Sequence, residues 1–143
     1  MRMFRRILLA TDGSKCALRA AEFASDIAAK FESSLLIVAV FHPIPVVSPY
    51  GDGAYELEPE QIGEILDQAI RVTVPVPQSK NVRYSIRKEI GYPAEEIQRV
   101  AVEEDCDLIV LGSRGLSGLK SFLLGSVSDR VTHAAHCPVL IAR

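Results

Sequence analysis

The chain has 143 residues, enough for one domain spanning 1–143, and a domain of this size buries about 68–70% of its unfolded surface. Its 18 acidic and 16 basic residues leave a net charge of −2 with Lys and Arg scattered along the chain, which argues against nucleic acid as the main partner. Cys16, Cys106 and Cys137 lie far apart with no C-x-x-C pair, so neither a redox motif nor a zinc knuckle is expected and a reducing cytoplasm fits best.

Residues 7–10 are a short continuous apolar run, as expected of a strand buried on both faces. Arg2, Arg5 and Arg6 before it read as a solvated entry. The run breaks at Thr11, Asp12 and Gly13, too early for a signal core or a membrane span. Ser14 is a good N-cap, and Leu18, Ala21, Ala24, Ile27, Ala28 and Phe31 recur at helical spacing, predicting an amphipathic helix. Residues 35–41, rich in Val and Ile, predict a second buried strand, and the prolines and glycines of 43–53 a long loop. A helix is expected over 59–72, with Ile62, Ile65, Leu66, Ala69 and Ile70 inward and Pro75 and Pro77 ending it. Residues 82–90 alternate in part and predict a third strand. Pro93 suits the first turn of the next helix, Glu95 and Glu96 suit its N-terminal charge, and Ile97, Val100 and Ala101 form its buried stripe. That helix ends near Asp105. Residues 108–111 read as the fourth strand, 127–135 as a helix and 139–141 as the closing fifth strand.

Strands alternating with helices in this way, with near-uniformly apolar strands, predict an α/β fold: an open parallel sheet with helices on both faces and right-handed crossovers. Ligands of such sheets bind beyond the carboxyl ends of the strands, where the strand order reverses. Both distinctive loops fall at that end. The first carries Asp12. The second, after the fourth strand, has the spacing G-x2-G-x9-G-S set by Gly112, Gly115, Gly125 and Ser126. Glycine lets backbone approach an anion, and the amides opening a helix point at it with the positive end of the dipole behind them. The pair points to a nucleotide. Asp12 accepts from ribose hydroxyls or an adenine amino group, and Gly112, Gly115, Gly125, Ser126 and Ser128 donate to the phosphates, with Arg114 and Lys120 as cationic contacts. No G-x-x-x-x-G-K-[ST] occurs and no G-x-G-x-x-G follows the first strand, which excludes a P-loop NTPase and a dinucleotide Rossmann domain.

Simpler readings stand beside these. Gly112 and Gly115 also suit a tight turn, Gly125 also suits close packing of helix on sheet, and Ser14 is a cap. His133 and His136 lie at a helix end, where histidine suits the dipole; with Cys137 they lack a fourth ligand, so no metal site is expected. His42 reads as a loop histidine and Cys16 as a half-buried filler. Asp107 precedes the fourth strand, at the wrong end of the sheet for chemistry, and Asp129 is the other carboxylate considered as a base. No catalytic residue is assigned.

The chain resembles the universal stress protein family, specifically its ATP-binding branch. The resemblance rests on Ile7-Leu8-Leu9-Ala10-Thr11-Asp12-Gly13-Ser14, on Asp107-Leu108-Ile109-Val110-Leu111-Gly112-Ser113-Arg114-Gly115, on the whole glycine loop and on the ending Cys137-Pro138-Val139-Leu140-Ile141. It spans the chain and is weakest over 43–80. It implies a Rossmann-like sheet of strand order 3-2-1-4-5, with the switch point between the first and fourth strands. It also implies ATP, with Mg2+, held by Ala10, Thr11 and Asp12, by Val40 at the adenine, and by Leu111, Gly112, Arg114, Gly115, Gly125, Ser126, Val127 and Ser128. Arg114 stands where the family often has histidine. The resemblance further implies a homodimer in which the last strand pairs with its copy, and the short apolar strand at 139–141 is an edge of the kind that takes a partner. The expected function is a cytoplasmic, nucleotide-dependent regulatory or signalling module of the stress response, acting on a protein partner the sequence does not name. The alternatives are a slow ATPase that needs a partner and a dimeric scaffold that binds no nucleotide.

Overall fold

The computed structural model describes residues 3–43, 46–47, 49–51, 53–115 and 124–143. In chain order it contains β1 (Arg6–Ala10), α1 (Lys15–Phe31), β2 (Ser34–Phe41), the short strands β3 (Val46–Val47) and β4 (Ala54–Tyr55), α2 (Pro59–Thr73) and α3 (Pro75–Ser79). There follow β5 (Tyr84–Ile90), α4 (Pro93–Glu103), β6 (Leu108–Gly112), α5 (Ser126–Ala134) and β7 (Val139–Ala142). Five strands form one parallel sheet in the order β5-β2-β1-β6-β7, the implied 3-2-1-4-5 arrangement.

The continuous apolar runs are explained by two cores. Side chains alternate between the faces of a strand. On one face Ile7, Leu9, Leu35, Ile37 and Val110 pack against the alanine stripe of α1 and against Leu66, Ala69 and Ile70 of α2. On the other, Leu8, Leu36, Val38, Ile109 and Leu111 pack against Ile97 and Val100 of α4 and Val131 of α5. Each fully buried Leu or Ile contributes about 1.5–3 kcal/mol. Ala20, Ala21, Ala24 and Ala28 let α1 lie close to the sheet. Ser14 starts α1 by accepting from the Ala17 amide (3.2 Å), and Glu32 ends it in the left-handed region at φ 56°.

Local chemistry moved three expectations. Val46 and Val47, inside the predicted loop, pair with Tyr55 and Ala54 just beyond it as a small antiparallel hairpin, whose turn includes Gly51 and Gly53 at φ 78° and 100°. Pro75 opens a further helix, α3, because the amide that proline lacks is one that a first helical turn leaves unpaired anyway. Ile65 does not face the core and is 48% exposed, because α2 seats the stripe of Leu66, Ala69, Ile70 and Thr73 and leaves its neighbour on the shoulder.

At the amino end of the sheet, the Asp107 carboxylate accepts from the amides of Arg5 (2.8 Å) and Arg6 (3.2 Å), locking β1 beside β6. Arg6 is no solvated entry: its guanidinium donates to Glu104 at 2.8 Å and ties β1 to the end of α4. Arg2 lies outside the described residues. On the same side, Arg87 bridges Glu89, Glu103 and Glu104, and Arg99 bridges Glu89, Glu96 and Glu103, pinning α4 to the edge strand β5.

Burial pushes the Cys106 thiol from its ordinary 9.0 up to about 11, against the opposing pull of Arg6. Because the folded pKa is raised, the unfolded chain loses this proton first, so the associated stability is intact below pH 9 and is lost as pH rises toward 11. Urea unfolding from pH 8 to 11 is therefore expected to show a steeper alkaline loss of stability in the parent chain than in Cys106→Ala. Equal slopes would contradict the assignment.

Candidate functional site

β1 and β6 are neighbours, with Ile7 opposite Leu108 and Leu9 opposite Val110. The chain leaves β1 through α1 toward β2 on one side, and leaves β6 through α5 toward β7 on the other. The two connections diverge and open a crevice beyond the carboxyl ends of these strands. A cavity of about 290 Å³ occupies it, near the lower end of the roughly 300–1,000 Å³ of small-molecule sites.

Every expected site residue that the structure describes borders this cavity. Its apolar lining comes from Ala10, Val40 and Leu111, joined by Val38, Pro93 and Ile97. The rest of its wall includes Thr11, Asp12, Gly112, Arg114 and Gly115, with Gly125, Ser126, Val127 and Ser128 from the start of α5. Sequence reasoning missed Ala17, Val38, Pro93, Ile97 and Ser113. Val38 was legible in principle, since it lies two residues before Val40 and so shares its face, and Ile97 lies one helical turn beyond Pro93. Lys120 lies outside the described residues.

Asp12 is the carboxylate among the described residues that lines the cavity. Its Oδ1 accepts from the Ser14 amide at 2.9 Å, which orients the side chain. Its Oδ2 lies so close to Gly115 that a Cβ on that residue would run into it. Gly115 thus leaves room for the Asp12 carboxylate. Gly112 does different work. A Cβ there would lie 2.7 Å from Cys16 Cβ and 2.8 Å from the Cys16 carbonyl carbon, so this glycine lets α1 close against the end of β6.

α5 begins at Gly125, which has no side chain to cap the helix, and no other side chain caps it among the described residues. The amides of Ser126, Val127 and Ser128 are then the leading N–H groups of the helix, at the positive end of its dipole and at the cavity wall. The Gly125 amide donates to Ser113 O at 2.6 Å. The buried Ser128 hydroxyl has one proton and two carbonyls in reach, Ser113 O (2.9 Å) and Gly125 O (3.0 Å). That proton is committed inside the protein, so Ser128 offers the cavity its backbone and lone pairs only.

The remaining candidates fall elsewhere. Asp129 is exposed, sits 3.5 Å from His133 Nδ1 and does not border the cavity. His42 stacks at a tilt on Tyr92, with ring centroids 5.1 Å apart. Cys16 Sγ is 3.9 Å from Ser113 Oγ. Among the described residues no three His, Cys, Asp or Glu side chains are grouped to hold a metal ion. None of the helices among them is long and apolar enough to cross a membrane.

Comparison with known proteins agrees with this architecture. A universal stress protein of Methanocaldococcus jannaschii is 35% identical over 141 residues, covering 99% of this chain and 83% of the relative. A universal stress protein solved in complex with cAMP is 27% identical and superimposes with a TM-score of 0.71, covering 98% of this chain and 97% of that one. The universal stress protein of Archaeoglobus fulgidus solved in complex with dAMP shares the fold at a TM-score of 0.75 and 21% identity, covering 99% of both chains. The universal stress protein family pattern matches residues 3–143, and this chain belongs to that family.

Proposed function

We propose that this protein binds ATP at the β1–β6 crevice and acts as a nucleotide-dependent regulatory module of the stress response in the cytoplasm. The observation that carries the reading is that Asp12, packed against Gly115, and the leading amides of α5 border one cavity. A carboxylate that accepts from sugar or base and a set of donors suited to phosphate thus share one crevice. The apolar lining of Val40, Ile97 and Leu111 suits the flat base. The relative solved with cAMP, 27% identical, adds support for an adenine nucleotide.

The donor set fits ATP better than it fits a metal held by protein alone. Mg2+ would come with the phosphates, taking their oxygens and water as this ion commonly does, with the Ser126 and Ser128 hydroxyl oxygens as the protein groups beside it. Efficient phosphoryl transfer also needs a group that orients the nucleophile. Asp107 is fixed at the opposite end of the sheet and Asp129 lies outside the cavity wall, so the reading assigns holding of ATP rather than its turnover.

Isothermal titration of the purified chain with ATP tests the reading. A stoichiometric exothermic isotherm is expected, and mass spectrometry of protein purified without added nucleotide is expected to release an adenine nucleotide. No heat with ATP, ADP or AMP would overturn it.

The chain is further proposed to form a homodimer through β7. Among the described residues β7 pairs only with β6, and Val139, Leu140 and Ile141 are only partly buried, which leaves an apolar edge open to a second copy. Light scattering at micromolar concentration is expected to give twice the chain mass; a mass of 15.6 kDa would remove this claim.

A further inference from the structure

We infer that Thr73, on α2 and outside the cavity, is a positioning residue for Asp12, and that α2 is thereby coupled to occupancy of the crevice. The inference rests on the ATP-binding reading above for its ligand, and on a buried hydroxyl relay for its structure. Thr73 is fully buried and Thr11 is nearly so, and their Oγ1 atoms lie 2.8 Å apart although 62 residues separate them in the chain.

The direction of the relay follows from counting protons. Each hydroxyl has one. Thr73 Oγ1 lies 2.7 Å from the carbonyl of Ala69, which can only accept, so the Thr73 proton goes there. Thr11 must then donate to Thr73. The Gly13 amide in turn donates to Thr11 Oγ1 at 3.1 Å. Reversing the middle bond would leave the buried Thr11 proton without an acceptor and press two oxygen acceptors together at Ala69. The relay therefore runs from the Gly13 amide through the Thr11 and Thr73 hydroxyls to the Ala69 carbonyl, which accepts.

This relay brackets Asp12. On one side Thr11 is also held by its own amide, which donates to Val38 O at 2.9 Å. On the other side Gly13, in the left-handed region at φ 80°, lies so flat against α2 that a Cβ would sit 3.3 Å from Ala69 Cα. Both neighbours of Asp12 are thus fastened to the C-terminal half of α2, and the seat of that helix sets where the carboxylate stands. Coupling of this kind is reciprocal: if the seat of α2 strengthens ATP binding, ATP stabilises the seat of α2.

Thr73→Val keeps the shape of the side chain and removes the hydroxyl, Thr73→Ser restores the hydroxyl, and Thr73→Ala replaces the valine variant if that chain does not fold. In the absence of nucleotide, hydrogen exchange at the Gly13 amide is expected to quicken at least fivefold in the valine chain and return in the serine chain. ATP affinity by calorimetry is expected to fall about fivefold and likewise return. The slowing of exchange across the C-terminal half of α2 on adding ATP is expected in the parent chain and absent in the valine chain. In an Asp12→Ala background the valine substitution is expected to leave ATP affinity unchanged, because Thr73 acts through Asp12, whereas general loosening would lower it again. Unchanged Gly13 exchange in Thr73→Val, or a full further loss of affinity in the Asp12→Ala background, overturns the inference. If the parent chain binds no ATP, the functional reading fails, and the exchange of Gly13 still decides whether the relay holds the loop.

Discussion

Asp12→Ala and Gly115→Val are each expected to weaken ATP binding at least tenfold, about 1.4 kcal/mol. They reach the same group by different routes. The first removes the carboxylate. The second places a branched side chain where a single Cβ already meets Asp12 Oδ2, while Oδ1 is held by the Ser14 amide, so the carboxylate is displaced from its position at the cavity wall. Because the two changes disturb one interaction, the double variant is expected to bind little more weakly than the worse single variant. Both residues are exposed and border the crevice outside the cores, so both variants are expected to stay folded, with Asp12→Ala losing about 0.5–1.5 kcal/mol for its bond to the Ser14 amide. Calorimetry that finds unchanged ATP affinity in both single variants would sink the site assignment.

Gly112→Ala is expected to lower the unfolding free energy by about 1–3 kcal/mol, the cost of overpacking a tight contact. The added methyl would meet the Cβ and carbonyl carbon of Cys16 at 2.7 and 2.8 Å, and neither can rotate away, so α1 must move off β6. Gly63→Ala in α2 is the control: nothing lies within 4 Å of a Cβ there, and a helical alanine is expected to gain about 0.5–1 kcal/mol over glycine. Urea unfolding of the two variants should bracket the parent. A stable Gly112→Ala chain would show that the close approach of α1 is not required. The two glycines three residues apart in one motif therefore answer to different forces, one to the packing of a helix and the other to the place of a carboxylate.

Much of the fold was readable before any contact was known. The buried strands are legible because both faces of a central parallel strand are covered, which makes 7–10, 35–41 and 108–111 apolar at every position. α1 and α4 are legible because Ser14 and Pro93 start them and an apolar stripe continues them. The hairpin of β3 and β4 was not, since two-residue strands carry no period and their pairing depends on the chain turning between them. Ile65 is exposed against its spacing because that spacing places it at the border of the apolar stripe of α2, and the seat of the helix on the sheet chooses which side of the border is covered. Arg6 read as solvated because its partner, Glu104, is 98 residues away in sequence and only the adjacency of β1 and β6 brings the two together.

The site divides in the same manner. Asp12 and the glycine loop are marked by residue type, because a turn carboxylate after a strand and a run of glycines before a helix have few other uses together, and the family resemblance extends that signal along the chain. Side-chain chemistry and local spacing are properties of neighbouring residues, so strand, cap and loop could be read from the order of amino acids alone. Which glycine gives way to Cys16 and which to Asp12, how Ile97 comes to wall the cavity, and how Thr73 reaches Thr11 depend on the closure of α1, α2 and α4 onto the sheet. Those contacts join segments dozens of residues apart, and their distances are set by the packing of the whole core.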